Sequence, residues 1–170
     1  MSETLDKLTK ISRIVAVVTK IFMIICVIAL IAVIVMVIQV AINPDLFSNI
    51  ADFPFTSNQL IAMGITSISG FVLGVIVLFH AHRFFTNVYK NNTPFLEDNV
   101  LCLNWIAKLM VIGAIALPII SAVVSYALDV GYETVVNFDL FVVFAALFVY
   151  FLALIFKHGV ELQRASDETL

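Results

Sequence analysis

Four stretches of the chain, residues 21–42, 61–79, 109–128 and 140–156, contain no Asp, Glu, Lys, Arg or His. A helix rises 1.5 Å per residue, so roughly 20 apolar residues cross a hydrocarbon core of about 30 Å. The runs are too long for barrel strands and lack two-residue alternation, so in lipid their backbone hydrogen bonds can close only as helix. The pattern predicts an all-α integral membrane protein, a bundle of four transmembrane helices over about residues 17–42, 58–81, 106–128 and 138–157.

The polar positions between these runs predict the remaining elements. Ahead of the first run, Leu5, Leu8, Ile11, Val15 and Val18 recur at intervals of three and four, with Lys7, Lys10 and Arg13 elsewhere around the wheel. This suits either an amphipathic helix on the inner leaflet or an ordinary positive flank. The stretch is not read as a cleaved signal peptide, because its apolar run is too long and no small-x-small site closes it. The first connection carries Pro44 and Pro54 with Phe47, Ile50, Phe53 and Phe55, aromatics that suit the membrane rim, and Thr56 or Ser57 can cap the second helix.

Within the second helix Ala62, Thr66, Gly70 and Gly74 repeat every four residues and so share a face. Small side chains let a neighbouring helix approach closely, either within the chain or across a homo-oligomer seam. In the third helix Pro118 deprives the Ala114 carbonyl of its donor and predicts a bend, with Ser121 and Ser125 able to satisfy local groups.

Past the second run the apolar pattern continues through Phe84, Phe85, Val88 and Tyr89 to Asn91. Asn91 and Asn92 can close the helix, Thr93 can cap the next, Pro94 suits its first position, and Glu97 and Asp98 suit its first turn. A helical hairpin over about residues 82–105 results, reaching about 15 Å beyond the membrane if each arm extends about ten residues. Its Phe95, Leu96, Val100 and Leu103 form an apolar face that could meet the lead-in, the tail over residues 158–170, or another protein.

Composition agrees with the pattern: 62% of residues are hydrophobic, 12% are charged and mean hydropathy is +1.12, far from soluble proteins. Charge adds orientation. Lys7, Lys10, Arg13 and Lys20 precede the first span, Arg83, Lys90 and Lys108 lie between the second and third, and Lys157 and Arg164 follow the fourth. The other two connections hold only acids, Asp45 and Asp52 in one and Asp129, Glu133 and Asp139 in the other. The positive-inside rule therefore places both termini and the hairpin in the cytoplasm. Cys26 and Cys102 predict no disulfide, and Asn91-Asn92-Thr93, on the cytoplasmic side and followed by Pro94, is not read as a glycosylation site.

Candidate chemistry is sparse. No Asp, Glu, Lys, Arg or His sits at a midplane position, as pumps and ion-coupled carriers require; Gln39 is near an outer end. His80 and His82, two apart on a helix, point to nearly opposite sides and cannot easily grip one ion. A metal set of His80, His158 and Glu161 has suitable ligand types but needs the second and fourth helices adjacent and leaves one position unsupported. Cations and histidines at helix C-termini suit the macrodipole and lipid headgroups. The group His80, His82, His158, Asp98 and Glu161 contains no nucleophile with a matching base, so neither an enzyme nor a cofactor is expected.

Two short motifs carry a family resemblance. Pro94-Phe95, Asn99 and Leu103 follow the second span, and Phe156-Lys157, Gly159, Leu162-Gln163, Asp167, Thr169 and Leu170 close the chain. The sequence resembles the YoaS-like family of bacterial membrane proteins, domain of unknown function 2975. That resemblance implies a small four-span inner-membrane protein, often accompanied by a helix-turn-helix DNA-binding regulator. The expected function is a non-enzymatic regulator whose cytoplasmic face, with Pro94, Phe95, Asn99, Leu103, Gly159, Leu162 and Gln163, holds such a partner, with no direct nucleic-acid contact. The alternative is an envelope protein that senses, moves or protects against an amphiphile or cationic peptide drawn to the acidic outer connections.

Overall fold

The structure, a computed structural model, describes residues 2–45, 54–131 and 138–168. Among them all regular structure is helical: α1 Ser2–Ile42, α2 Ser57–Asn91, α3 Glu97–Ala127 and α4 Leu140–Asp167. All four helices are long and apolar enough to cross a membrane, which makes this a multi-pass membrane protein. Phe47, Ile50, Asp52 and Phe53 of the first connection, Glu133 of the second, and Thr169 and Leu170 lie outside the described residues.

The expected lead-in helix is not a separate element. No Gly or Pro interrupts residues 2–42, so α1 runs as one helix of 41 residues, about 60 Å long. Its first half buries Ser12, Ala16 and Thr19, while Ile11 and Val18, assigned above to the apolar face, are exposed. The reason applies across the described helices, although Val40 and Val88 are buried as well. Lipid tails are as apolar as a protein interior, so helices meet through small and hydroxyl side chains and turn large aliphatics outward. Ala62, Thr66, Ala107, Ala114, Ser121, Ser125, Ala146 and Ala153 are buried, whereas Ile14, Ile28, Val123 and Phe141 are exposed.

The chain divides into two compact units. The first comprises Met1–Ile24, Ile76–Val111 and Leu140–Leu170, and so contains segments of α1, α2 and α3 and the whole of α4. The second comprises Ile25–Val75 and Ile112–Asp139, with segments of α1, α2 and α3 and their two connections. The partition also sorts charge: all nine Lys and Arg residues fall in the first unit and none in the second.

In the second unit the helix ends are closed by local chemistry. Thr56 caps α2 in a reciprocal box, its Oγ1 accepting from Gln59 N at 3.3 Å and its N–H donating to Gln59 Oε1 at 2.8 Å. Ser57 Oγ donates to the Pro44 carbonyl instead. At the end of α3, Asp129 takes a left-handed conformation, φ 52°. Val130 N then donates to Ser125 O at 3.0 Å and Asp129 N to Tyr126 O at 3.3 Å, a Schellman closure. The remaining Leu128 carbonyl accepts from Asn58 Nδ2 at 3.1 Å, tying the two helix ends together. α3 passes through Pro118 without ending there.

Only half of the small-residue stripe on α2 is a contact. Ala62 and Thr66 are buried, Thr66 also donating to the Ala62 carbonyl at 3.0 Å, but a Cβ at Gly70 or Gly74 would meet open space. The close approach falls at Gly64, where a Cβ would overlap Cγ2 of Val37 on α1. A period-four stripe identifies residues that could admit a neighbour; the neighbour's own side chains decide which one does.

Candidate functional site

Phe95 of the first family-like motif and Phe156 and Gly159 of the second come together in the first unit, at the turn between α2 and α3. α2 ends at Asn91, and Asn92 takes the left-handed conformation, φ 53°, that a helix C-terminus favours in Asn or Gly. Thr9 Oγ1 of α1 donates to Asn92 Oδ1 at 3.0 Å.

Thr93 does not cap α3, and Pro94 is not its first residue. Thr93 Oγ1 accepts from Phe95 N at 3.2 Å, and the Pro94 carbonyl accepts both Leu96 N at 3.1 Å and Asn99 Nδ2 at 2.9 Å. With that carbonyl already occupied, the helical ladder begins two residues later: the Leu96 carbonyl accepts Asn99 N at 3.0 Å and Val100 N at 3.2 Å. Asn99 is 0% exposed and acts as the buried pin of the turn, although its Oδ1 has no protein partner. Val100 and Leu103 are buried beside it.

Phe95 leaves the turn toward α4. Its ring lies 5.6 Å from that of Phe156, which also meets Phe84 of α2 at 5.7 Å. The space Phe95 fills exists because residue 159 is glycine; a Cβ there would fall 2.6 Å from Phe95 Cε1. The apolar face of the turn is thus met by the tail of its own chain. Two ion pairs run across the same region, Arg83 to Asp98 at 3.2 Å and Arg164 to Glu97 at 3.3 Å. All four side chains are more than half exposed, so these pairs align helices more than they stabilise them.

Leu162 and Gln163, in contrast, are exposed, Leu162 at 59%. Of the seven residues expected to form a partner surface, Phe95 and Gly159 form the latch between turn and tail, Asn99 and Pro94 bond to one another within the turn, Leu103 is buried, and Leu162 and Gln163 are exposed.

The histidines are engaged separately. His80 stacks on Trp105 of α3 with centroids 5.9 Å apart and planes 11° from parallel, and Lys108 Nζ lies 5.5 Å from the same ring. His82 presents Nδ1 at 2.9 Å to the Ala16 carbonyl, so an Nδ1–H donates there and joins α2 to the small-residue face of α1. His158 Nδ1 is 3.9 Å from Glu161 Oε2 on its own helix. Among the described residues no three His, Cys, Asp or Glu side chains are grouped to hold a metal ion, so the combination of His80, His158 and Glu161 is not assembled. The role of His82 was not visible in the sequence, where a histidine near a helix end fits a lipid headgroup equally well.

Between α3 and α4 lies an open groove of about 470 Å³. It is lined by the apolar Val100, Leu101 and Val160, by Asn104, and by the charged Glu97, Lys157, Glu161 and Arg164.

A family model described as "Protein of unknown function (DUF2975)" matches residues 47–170, well over half of the chain. No curated protein and no solved structure matches it.

Proposed function

The chain belongs to the DUF2975 family, and from that premise we propose that it is a non-enzymatic regulator of the bacterial inner membrane whose cytoplasmic face holds a soluble protein partner, such as a small helix-turn-helix regulator. The observation that carries this reading is the sorting of charge. Every Lys and Arg belongs to the compact unit that also contains the α2–α3 turn and the last helix, and the other unit has none. Basic residues are retained on the cytoplasmic side, so both termini and the turn face the cytosol in this account. The latch of Phe95, Phe156 and Gly159 gives that face a fixed shape, and Leu162, with Gln163 beside it, is an exposed apolar position from which a partner could be gripped.

The test is affinity capture after cross-linking in native membranes, comparing the unaltered chain with Leu162→Glu, a change at an exposed site that leaves the latch intact. The expected result is a specific soluble protein recovered with the first and lost with the second. Equal recovery from both, or recovery of no soluble protein from either, contradicts the reading.

A further inference from the structure

We propose that the groove between α3 and α4 seats the headgroup of a phospholipid carrying a primary ammonium, phosphatidylethanolamine in chemical type. The inference stands apart from the partner reading, since it needs neither a soluble protein nor a particular sidedness.

Position points to the headgroup layer. Asn104, which lines the groove, is next to Trp105, which is 50% exposed and has Lys108 Nζ 5.5 Å from its ring. Tryptophan and lysine in this combination mark the level of lipid headgroups, the indole among the acyl carbonyls and the ammonium reaching to water. The charge-free run of α3 begins immediately beyond Lys108, and that of α4 ends immediately before Lys157, so both walls of the groove leave the apolar region at the same point. From Asn104 to Glu97 is seven residues, about 10 Å along the helix, comparable to the headgroup layer of one leaflet.

Charge points the same way. The lining offers two carboxylates, Glu97 and Glu161, and two cations, Lys157 and Arg164, beside the apolar Val100, Leu101 and Val160. An anionic headgroup would engage the cations but leave Glu161 without a cationic partner, and a quaternary ammonium has no N–H to give it. A phosphate joined by two carbons to a primary ammonium satisfies both signs at once. Arg164 is already paired with Glu97, whereas Lys157 makes no ion pair among the described residues, although Glu161 lies one turn further on. The Glu161 carboxylate is 3.9 Å from His158, too long for a good hydrogen bond. Lys157 is therefore placed to take the phosphate and Glu161 the ammonium, with acyl chains running past Asn104 and Trp105 toward the bilayer.

The experiment uses the purified, delipidated full chain, titrated with phosphatidylethanolamine, phosphatidylcholine and phosphatidylglycerol of identical acyl chains and read by native mass spectrometry. The expected result is about fivefold stronger retention of the ethanolamine lipid than of either other lipid, the scale of one half-exposed charge contact. That preference should disappear in Glu161→Gln, whereas Lys157→Gln should weaken retention of all three lipids through the phosphate they share, with helix content by circular dichroism unchanged. Equal retention of the three lipids, stronger retention of phosphatidylglycerol, or an ethanolamine preference that survives Glu161→Gln overturns the proposal. The comparison of three lipids on the unaltered chain needs no variant, so it decides even if a substitution impairs folding.

Discussion

Gly159 of α4 lies against the ring of Phe95 so closely that one added methyl group would sit 2.6 Å from Phe95 Cε1. The turn between α2 and α3 and the tail of α4 are therefore shaped to one another. Gly159→Ala must displace an aromatic ring that also packs on Phe156, an overpacking cost of about 1–3 kcal/mol. The expected outcome is a lower midpoint of thermal unfolding in detergent, partly restored when Phe95→Leu is added to make room. A double variant no more stable than Gly159→Ala alone would contradict the fit.

Glycines on one helix should respond in opposite ways. Gly64→Ala drives a methyl into the β-branched Val37, whose Cγ2 cannot swing away freely, and should destabilise the protein by about 1–3 kcal/mol. Gly70→Ala and Gly74→Ala meet open space within the chain and should be neutral or raise stability by up to about 1 kcal/mol through helix propensity. Unfolding in mixed micelles measures all three. A marked loss at Gly70 or Gly74 would mean that a second copy of the chain covers that face.

Asn99→Ala removes the donor held 2.9 Å from the Pro94 carbonyl at a site with no solvent exposure. The loss should cost about 1–3 kcal/mol and loosen the turn. Hydrogen exchange read by mass spectrometry should show faster exchange over residues 95–103, with the α2 start at Ser57 unchanged. Exchange identical to the unaltered protein would show that the asparagine does not pin the turn.

Thr56→Ala tests the second unit independently. It removes the Oγ1 that accepts from Gln59 N and should cost about 1 kcal/mol, the usual worth of an N-cap. Thr56→Ser should retain most of that stability, and an alanine variant as stable as the serine one would argue against the box.

The helices were legible because lipid imposes a severe rule: a backbone without water closes its hydrogen bonds internally, so charge-free runs of sufficient length read directly as helix. Side-chain chemistry alone offered Thr56 or Ser57 as the cap and Ala62, Thr66, Gly70 and Gly74 as a packing stripe; the structure takes Thr56 and buries Ala62 and Thr66. What sequence could not give was the partner of each group. Thr93 and Pro94 look like the start of a helix until Asn99 claims the Pro94 carbonyl, and Gly64 lies outside the period-four stripe yet meets Val37. Ile11 and Val18 were legible as an apolar face for lipid, but that the small stripe of Ser12, Ala16 and Thr19 is the one that packs on protein was not. The motif residues were legible as a set, but their convergence, Phe95 on Gly159 and Phe156, depends on contacts across more than sixty positions of sequence.

The unit holding every Lys and Arg is proposed to face the cytosol. Single cysteines at Asn92 and at Asp45, in a chain whose Cys26 and Cys102 are replaced by Ala, can be exposed to a membrane-impermeant maleimide on intact cells with the outer membrane opened. The account predicts labelling at position 45 before lysis and at position 92 only after it. Labelling at position 92 on intact cells would place the latch and the basic unit on the opposite side and contradict it.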